Sequence, residues 1–373
     1  MRIVGFRAAN TASTQFRVVN WIDALGRLGH DATSYGSPFH APTDTTIVRS
    51  FVEEFDARVN GADVVLYGLT VEAREIAMLQ AGRAAHGYRL VVDTDDLVTE
   101  VPSYNQASSW YHNASGLIRI AESQYRNSDA LVVSTEELRR MSDHYNPRVI
   151  HMPNVVDPGM YEPLRFREKE PRHKDDIRIF WGGGGGHWDD LLIVKDALLK
   201  VCAARPNVKL VFGNFVPGWA MSLPSNRVFL IPMQPFSNYY KVLAWACPDI
   251  GLAPLVDNQF NRCKSHVKYL DYTLTATPGV YSALEPYGAI TDGETGLIAR
   301  TESDWYDRIM ELVDNAPLRR KIALNSWDDV MGRWHVDKWI GRYEQMLNEV
   351  ISAQPPAVHE LAEGVPIACQ TPL

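Results

Sequence analysis

The chain contains 373 residues, with 37 lysines and arginines against 45 aspartates and glutamates, so its formal net charge is -8. Hydrophobic residues make up 46% and charged residues 22%, a composition typical of folded globular proteins that excludes wholesale disorder. One hydrophobic core seldom organises a chain of this length, so we expect two domains of ~150–200 residues each. The acidic balance argues against bulk affinity for nucleic acids but leaves room for a local basic surface.

No stretch of the sequence approaches the ~20 apolar residues that a membrane-spanning helix requires. The first residues, MRIVGF, form a strand-like run without the basic and apolar regions of a signal peptide. The 4 cysteines lie far apart and form no CxxC pair, which argues against a disulfide framework and against a zinc site. We therefore expect a soluble cytoplasmic protein without a zinc site.

Short apolar runs alternate with helical patterns through the first half of the chain, an order typical of parallel βα units. Val18 and Ile22 recur at helical spacing after the first run, and Gly29 stands where it can end that helix. Residues 71–86 predict the next helix, and Thr135 is placed to cap the helix after the fourth run. The four runs cover residues 2–6, 63–68, 89–93 and 130–133.

The same alternation restarts in the second half of the chain. Helices are predicted over residues 188–204 and 263–276, and the apolar stripe of residues 336–352 predicts one further long helix. Strand-like runs cover residues 177–181, 208–213, 227–231, 249–253 and 279–282. This half therefore predicts a second doubly wound α/β unit.

Residues 157–176 interrupt the pattern with three prolines and the mixed-charge run 165–174. A linker between domains is the expected interpretation, with a basic phosphate-binding strip as the alternative. We predict one α/β domain over residues 1–160 and a second over residues 161–335. Residues 353–373, which contain four prolines and no periodicity, predict a flexible tail.

Five consecutive glycines follow the strand-like run 177–181 and precede a predicted helix. A Walker A loop would end in Gly-Lys-Ser/Thr, whereas this run ends in Gly186-His187, and the acid of a dinucleotide fingerprint is missing after the next strand. Glycines in this position let backbone N–H groups approach an anion beside the start of a helix. We therefore predict a phosphate-binding turn with His187 as a further ligand, and a merely tight βα turn as the alternative. The ligand glycines are Gly183, Gly184, Gly185 and Gly186.

A second group of polar residues lies between Asn261 and Asp271. On a helix over residues 263–276, Lys264, Lys268 and Asp271 share one stripe, and lysines in the first turns oppose the helix dipole unless an anion binds there. The carboxylate of Asp271 can accept hydrogen bonds from ribose hydroxyls. The alternative is a solvated charged face whose ion pair contributes little stability.

Acidic residues follow the run 89–93, at the strand end where open α/β sheets bind their ligands. Asp93, Asp95 and Asp96 can contact acceptor hydroxyls, hold a metal or act as a base, and helix capping is the alternative. Arg17, which follows the first run, is predicted to face the same ligand. Tyr240 is predicted to pack in the core or to close over a nucleobase.

The second half resembles the donor domain of retaining glycosyltransferases of family 4, which have the GT-B fold. Residues 261–280 are similar to the K-S-x-x-K-x-x-E-Y … G-x-P-V-V block of that family, and residues 288–297 to the ending of its next segment. Residues 179–190 are similar to a G-S-x-x-H-x-x-D turn of one subgroup. V-V-D-T-D-D-L, A-L-V-V-S-T-E-E-L and M-P-N-V-V-D resemble its acceptor domain, so the resemblance reaches about residue 350.

The resemblance implies two Rossmann-like domains that face a cleft, with the last helix crossing back to the first domain. It implies that the first domain binds the acceptor and the second the nucleotide sugar. It implies transfer of a sugar from a UDP-sugar or GDP-sugar to a glycan or glycolipid hydroxyl, with retention and without a metal or prosthetic group. Lys264, Asp271 and His187 are then the catalytic residues. Donor binding would add the four glycines with Asn261, Cys263, Ser265 and Lys268, and acceptor binding would use Arg17, Asp93, Asp95 and Asp96.

The sequence departs from the family at one acid. The first acid of its E-x7-E motif falls on Cys263, which cannot replace a carboxylate that contacts the sugar. The missing acid leaves open a sensor without catalysis. Two further alternatives are a phage-type enzyme that glycosylates hydroxymethylated DNA bases, because the acceptor is open, and a sugar-nucleotide 2-epimerase, because such enzymes share the fold. The first needs a basic rim, for which Arg139, Arg140, Arg148 and residues 165–174 are candidates.

Overall fold

The computed structural model of the chain describes residues 1–7, 12–36, 53–111, 116–157 and 175–355. Most of the predicted linker and nearly all of the predicted tail lie outside these described residues. The chain divides into two compact units, and each is described by itself. The first comprises Met1–Val101, Ser109–Val155 and Val336–Leu373, and the second Pro102–Ser108 and Val156–His335.

Six parallel strands form the sheet of the first unit, in the order β2-β1-β3-β4-β5-β6. The interior strands are buried along their length because both faces of such a sheet are covered by helices. In the register of β1, Ile3 lies opposite both Ala32 and Val64. The strands are β1 (Arg2–Arg7), β2 (Asp31–Gly36), β3 (Val64–Gly68), β4 (Arg89–Thr94), β5 (Ala130–Val133) and β6 (Val149–His151).

The helices of the first unit follow the sequence prediction closely. Gly29 adopts φ +89° after the helix Asn20–Arg27, and the side chain of Thr135 accepts a hydrogen bond from the backbone N of Leu138 at 3.1 Å. The helices are Ala12–Thr14, the π-helical turn Gln15–Val19, Asn20–Arg27, residues 53–59, Ala73–His86, Ser108–Tyr111, Leu117–Arg126, Glu136–Ser142 and Val336–Ser352. The 3₁₀ turn Val98–Glu100 follows β4.

The last helix, Val336–Ser352, packs into the core of the first unit, as the sequence predicted. Its buried face includes Val336, Tyr343 and Leu347, which share one hydrophobic cluster with Ile3 of β1. The ring of Tyr343 stacks on that of Trp21, with centroids 4.4 Å apart. The chain therefore returns to the first unit after completing the second.

The second unit repeats the same architecture with a sheet of order β12-β11-β10-β7-β8-β9. All neighbouring strands are parallel, so their carboxyl ends meet at one edge. The strands are β7 (Ile177–Gly182), β8 (Val208–Gly213), β9 (Val228–Ile231), β10 (Ile250–Ala253), β11 (Gly279–Ser282) and β12 (Leu297–Ala299). The α-helices are Trp188–Ile193, Lys195–Ala204, Phe236–Ala246, Gln259–Arg262, Val267–Leu274, Glu302–Asp314 and Ala316–Arg333. The 3₁₀ turns are Gly185–His187, Gly218–Ser222, Ser225–Arg227 and Glu285–Tyr287.

Two predicted helices were wrong in their continuity. The helix expected over residues 188–204 breaks at the buried Val194. The helix expected over residues 263–276 covers only Val267–Leu274. A separate short helix, Gln259–Arg262, which Asn258 caps, precedes it, and the chain leaves helical geometry between the two. Lys264 therefore precedes the second helix and does not share its stripe.

Three strands were not predicted: β2, β6 and β12. All three are edge strands of their sheets. The strand β2 is polar, and β6 and β12 have 3 residues each, which is too short for a recognisable strand pattern. The segment Pro102–Ser108, which the sequence assigned to the first domain, belongs by its contacts to the second unit. None of the helices within the described residues is long and apolar enough to cross a membrane.

The Trp21–Tyr343 contact makes a testable prediction about the last helix. Both side chains are fully buried, and the Tyr343 hydroxyl has no hydrogen-bond partner among the described residues. Tyr343→Ala should lower the free energy of unfolding by about 3–5 kcal/mol through loss of packing. Tyr343→Phe should leave it unchanged or raise it by up to about 1 kcal/mol, because a buried unsatisfied hydroxyl is removed.

Urea denaturation of the two variants and the wild type measures both effects. Leu28→Ala is the control, because Leu28 lies just after the helix Asn20–Arg27 but is 49% exposed. A loss in Tyr343→Phe as large as that in Tyr343→Ala would contradict the packing argument.

Candidate functional site

The five glycines form the turn between β7 and the helix Trp188–Ile193. None of them has a positive φ, so their backbone does not require glycine. The surrounding side chains leave too little space for a larger residue at several of these positions. A methyl group on Gly183 would lie 2.7 Å from the Trp181 ring, and one on Gly186 would lie 2.7 Å from Oδ1 of Asn105. A methyl group on Gly185 would collide with the amide of Gln106, whereas Gly184 has open space around it. The turn is therefore a backbone surface that other side chains approach closely.

His187 ends this turn and is held by a buried carboxylate. Its Nδ1 lies 2.7 Å from Oδ2 of Asp190, which is 1% exposed. Burial lowers the pKa of His187 in spite of Asp190, and the positive charges of Lys264 and Lys268 lower it further. A neutral imidazole that donates from Nδ1 to Asp190 accepts hydrogen bonds at Nε2. This geometry suits a sugar hydroxyl better than the phosphate that the sequence suggested.

Asp190 also joins the turn to the loop after β10. Its Oδ1 accepts hydrogen bonds from the backbone N of Val256 at 2.7 Å and from Nδ2 of Asn261 at 3.0 Å. Asn261 is 1% exposed and also donates to the carbonyl of Val256 at 2.9 Å. Asn261, predicted as a donor ligand, therefore supports the turn from within the unit.

The two lysines of the predicted site lie close to the turn. Lys268 donates from Nζ to the carbonyl oxygen of Gly182 and lies 5.3 Å from the ring centroid of Trp181. Burial lowers its pKa to about 8. Nζ of Lys264 lies 4.4 Å from the ring centroid of Phe260. Lys268 thus joins the helix Val267–Leu274 to the turn. Lys264 lies in the connection before that helix, next to Ser265, and both residues are half-buried.

Asp271 and Cys263, which the sequence predicted as donor-binding residues, are both buried. Asp271 is 7% exposed and accepts a hydrogen bond from the Tyr240 hydroxyl. Burial raises the pKa of Asp271 to about 6, and the Tyr240 hydrogen bond and Lys268 oppose that rise. Cys263 is fully buried, with Sγ 3.6 Å from Nε2 of Gln259. Its thiol therefore faces the interior of the unit, and the packing interpretation of Tyr240 is the one the contacts favour.

Arg17 and Asp93 bind each other in the first unit. Nη2 of Arg17 lies 2.6 Å from Oδ2 of Asp93, and Nε lies 2.9 Å from Oδ1, with both residues less than 5% exposed. Arg17 also donates to the carbonyl oxygen of Met152. This two-point pair joins the helical segment after β1 to the end of β4, so both side chains support the sheet edge.

Asp95 and Asp96 follow β4 and are half-buried. Asp95 accepts a hydrogen bond from the Ser13 hydroxyl. Burial, with the negative charge of Asp96, raises the pKa of Asp95 to about 6. These two carboxylates are the predicted acceptor residues that lie nearest to solvent.

Sequence reasoning missed two residues that organise the second site, Tyr104 and Asn258, because their contacts span more than 150 positions of the sequence. Asp190 was included only as the last residue of the turn 179–190, and its spacing of three from His187 is the signal for their pairing. Over the described ranges, no group of three or more His, Cys, Asp or Glu side chains is placed to hold a metal ion.

Solved structures with the same fold are known. No protein-family profile and no curated protein sequence matches the chain. Sucrose-phosphate synthase from Thermosynechococcus elongatus aligns over 95% of this chain and 100% of its own, with a TM-score of 0.66 and 11% identity. HepE of Anabaena, in complex with UDP and glucose, aligns over 94% and 100%, with a TM-score of 0.64 and 12% identity.

A third similar structure contains DNA. It is an alpha-glucosyltransferase in complex with UDP and a 13-mer DNA containing an HMU base. It aligns over 93% of this chain and 99% of its own, with a TM-score of 0.66 and 13% identity. The chain therefore has the GT-B fold that the sequence predicted, with two parallel six-stranded sheets and flanking helices.

The buried carboxylate of Asp271 makes the stability of the protein pH-dependent. Its pKa is about 6 in the folded protein against 3.8 in the unfolded chain, so the folded state favours the protonated form. The contribution of Asp271 to the free energy of unfolding is therefore most favourable below pH 3.8 and is lost as pH rises through 6. Asp271→Asn, which cannot ionise, should gain about 2 kcal/mol relative to the wild type between pH 4 and pH 7.

Urea denaturation at pH 4, 5.5 and 7 measures this difference. Asp307→Asn, at an exposed position of the helix Glu302–Asp314, is the matched control. A gap between Asp271→Asn and the wild type that stays constant over this range would show that Asp271 is not protonated at pH 4.

Proposed function

We propose that this protein is a glycosyltransferase that moves a sugar from a UDP-sugar to an acceptor hydroxyl. The observation that carries the proposal is the set of anion-directed groups at the carboxyl edge of the second sheet. The glycine turn presents backbone to this edge, and Lys264 and Lys268 lie beside it. Two similar structures contain UDP, which supports a nucleotide sugar as the donor.

In this proposal the diphosphate lies on the glycine turn. Backbone N–H groups of Gly183–Gly186 and the ammonium of Lys264 bind its oxygens, as is common where a strand leads into a helix. His187 accepts a hydrogen bond from a sugar hydroxyl at Nε2, and Asp271 accepts one from the ribose. Lys268 and Asn261 keep the turn in place through Gly182 and Asp190.

The proposed reaction retains the configuration of the sugar, following the family that the sequence resembles. The bond between the anomeric carbon and the phosphate oxygen breaks, and the acceptor oxygen bonds to the same face of that carbon. The acceptor proton passes to the leaving phosphate, so no protein nucleophile is required. The protein orients the reactants and stabilises the charge on the leaving group with Lys264 and the turn. A metal is not part of this proposal.

The acceptor in this proposal is a glycan or glycolipid in the cytoplasm. Asp95 and Asp96 accept hydrogen bonds from its hydroxyls, and the Arg17–Asp93 pair positions the strand end that carries them. Asp95 accepts a hydrogen bond from the Ser13 hydroxyl, a donor of the kind that a sugar presents, and this supports the proposal. Acceptor binding therefore falls to the first unit and donor binding to the second.

A thermal-shift panel of UDP-sugars and GDP-sugars tests donor binding. A ligand at 100 times its dissociation constant adds ~2.7 kcal/mol to the stability of the folded state. Lys264→Ala should remove most of the shift, because the ammonium that binds the diphosphate is lost. Lys200→Ala, at an exposed position of the helix Lys195–Ala204, is the matched control and should keep it. Equal shifts in the two variants would contradict the assignment of Lys264.

Modified DNA is the second candidate acceptor, because one similar structure contains an HMU base in DNA. The contacts of the first unit disfavour it. Arg139 pairs with Glu136 at 2.7 Å and Arg140 with Glu137 at 3.0 Å, so these arginines are already neutralised within their own helix. Arg148 donates to the carbonyl oxygens of Asp129 at 3.3 Å and of Gln354 at 3.1 Å. Residues 165–174, the remaining candidate for a basic rim, lie outside the described residues.

Fluorescence anisotropy with a duplex that contains a hydroxymethylated base separates the two acceptors. We expect no saturable binding at 100 mM salt. Saturable binding that weakens steeply as salt rises, with transfer of radiolabelled sugar to the duplex, would instead establish DNA as the acceptor.

A further inference from the structure

The segment Pro102–Ser108 lies against the glycine turn. The chain before it and the chain after it belong to the first unit, but the segment itself belongs to the second. Its contacts fall at the one place in the second unit where the proposed diphosphate would bind. No local sequence pattern predicts this contact, because the segment and the turn are about eighty residues apart.

The segment is fixed to the second unit through Tyr104. Its hydroxyl oxygen accepts hydrogen bonds from Nδ2 of Asn258 at 2.8 Å and from Nδ2 of Asn261 at 3.2 Å. Asn261 also binds Asp190, and Asp190 binds His187. One connected set of hydrogen bonds therefore holds both the segment and the end of the turn.

The next two residues place their amides on the glycines. A methyl group on Gly186 would lie 2.7 Å from Oδ1 and 2.8 Å from Nδ2 of Asn105, and one on Gly185 would meet the amide of Gln106. Oδ1 of Asn105 accepts a hydrogen bond from the backbone N of Ala107 at 2.9 Å. That bond leaves the two N–H donors of the Asn105 amide to point elsewhere.

We propose that Asn105 and Gln106 are donor-binding residues, whose side-chain amides bind the diphosphate of a nucleotide sugar held on the glycine turn. An anion bound to the N–H groups of Gly185 and Gly186 lies ~3 Å from those nitrogens and so within reach of both amides. Tyr104 is the positioning residue that fixes them there. This inference rests on the proposed function and adds to the donor site a segment from the other half of the chain.

Isothermal titration with UDP and UDP-glucose tests the role of Asn105. Asn105→Ala should weaken the binding of UDP by about 10-fold, the typical effect of one hydrogen bond to a charged group. Asn105→Asp should weaken it more, because it keeps the acceptor for Ala107 but brings a negative charge to the phosphate. If Asn105 only shapes the segment, Asn105→Asp will bind UDP like the wild type, and the inference fails.

Variants of the turn show whether the amide and the glycine act together. Gly186→Ala should weaken UDP binding by displacing Asn105, and Gly332→Ala, in the helix Ala316–Arg333 and outside the proposed donor site, is the control because open space surrounds it. The double variant Gly186→Ala with Asn105→Ala should bind UDP no worse than Asn105→Ala alone. Additive losses would mean that the methyl group blocks the ligand directly, and this would count against the inference.

The remaining variants test Gln106 and Tyr104. Gln106→Ala should also weaken UDP binding by about 10-fold, and Tyr104→Phe should weaken it while the melting temperature of the unliganded protein changes little. Unchanged or tighter UDP binding by both amide variants would overturn the inference, and tighter binding would mean that the segment obstructs the turn. Failure of the wild type to bind any UDP-sugar or GDP-sugar would instead overturn the proposed function, and the inference with it.

Discussion

The arrangement of the second unit depends on one buried carboxylate, Asp190. A carboxylate that leaves water is costly unless its oxygens are hydrogen-bonded, and Asp190 binds His187 with one oxygen and Val256 and Asn261 with the other. Each partner comes from a different part of the chain. Asp190 therefore joins three elements: the glycine turn, the loop after β10 and the helix Gln259–Arg262. Loss of any one partner would leave the buried charge of Asp190 with too few hydrogen bonds.

The interior of the fold could be predicted from the sequence because burial leaves a local pattern. The strand β4 has an unbroken apolar run from Leu90 to Val92, since helices cover it on both faces. The strand β2 has the sequence DATSYG and alternating partial burial, which no local rule separates from a loop. The end of helical geometry before Val267 could not be predicted either. It depends on the Asn258 cap and on contacts with distant residues, such as that of Lys268 with Gly182.

The chemistry of the site was partly predictable for the same reason. Glycines after a strand and lysines near a helix start are local signals, and both sets lie at the same sheet edge. The partners of these groups are distant in sequence: Arg17 meets Asp93 across 76 positions, and Asn261 meets Tyr104 across 157. A sequence without aligned relatives carries no trace of such pairs, so Arg17 and Asp93 were predicted as ligands although they bind each other.

The two sheet edges differ in the sign of their charge, and this difference assigns their ligands. The edge of the second sheet carries Lys264 and Lys268, whose charges are strong enough to oppose protonation of His187. At the edge of the first sheet Arg17 neutralises Asp93, whereas the negative charge of Asp96 disfavours the charged form of Asp95. The lysines at the edge of the second sheet attract a diphosphate, and the carboxylates at the edge of the first sheet repel it. A sugar hydroxyl, in contrast, donates well to a carboxylate. If Asp95 and Asp96 bind the acceptor as proposed, a DNA acceptor would bring its phosphates towards these carboxylates, and for this reason the acceptor we propose is a neutral glycan.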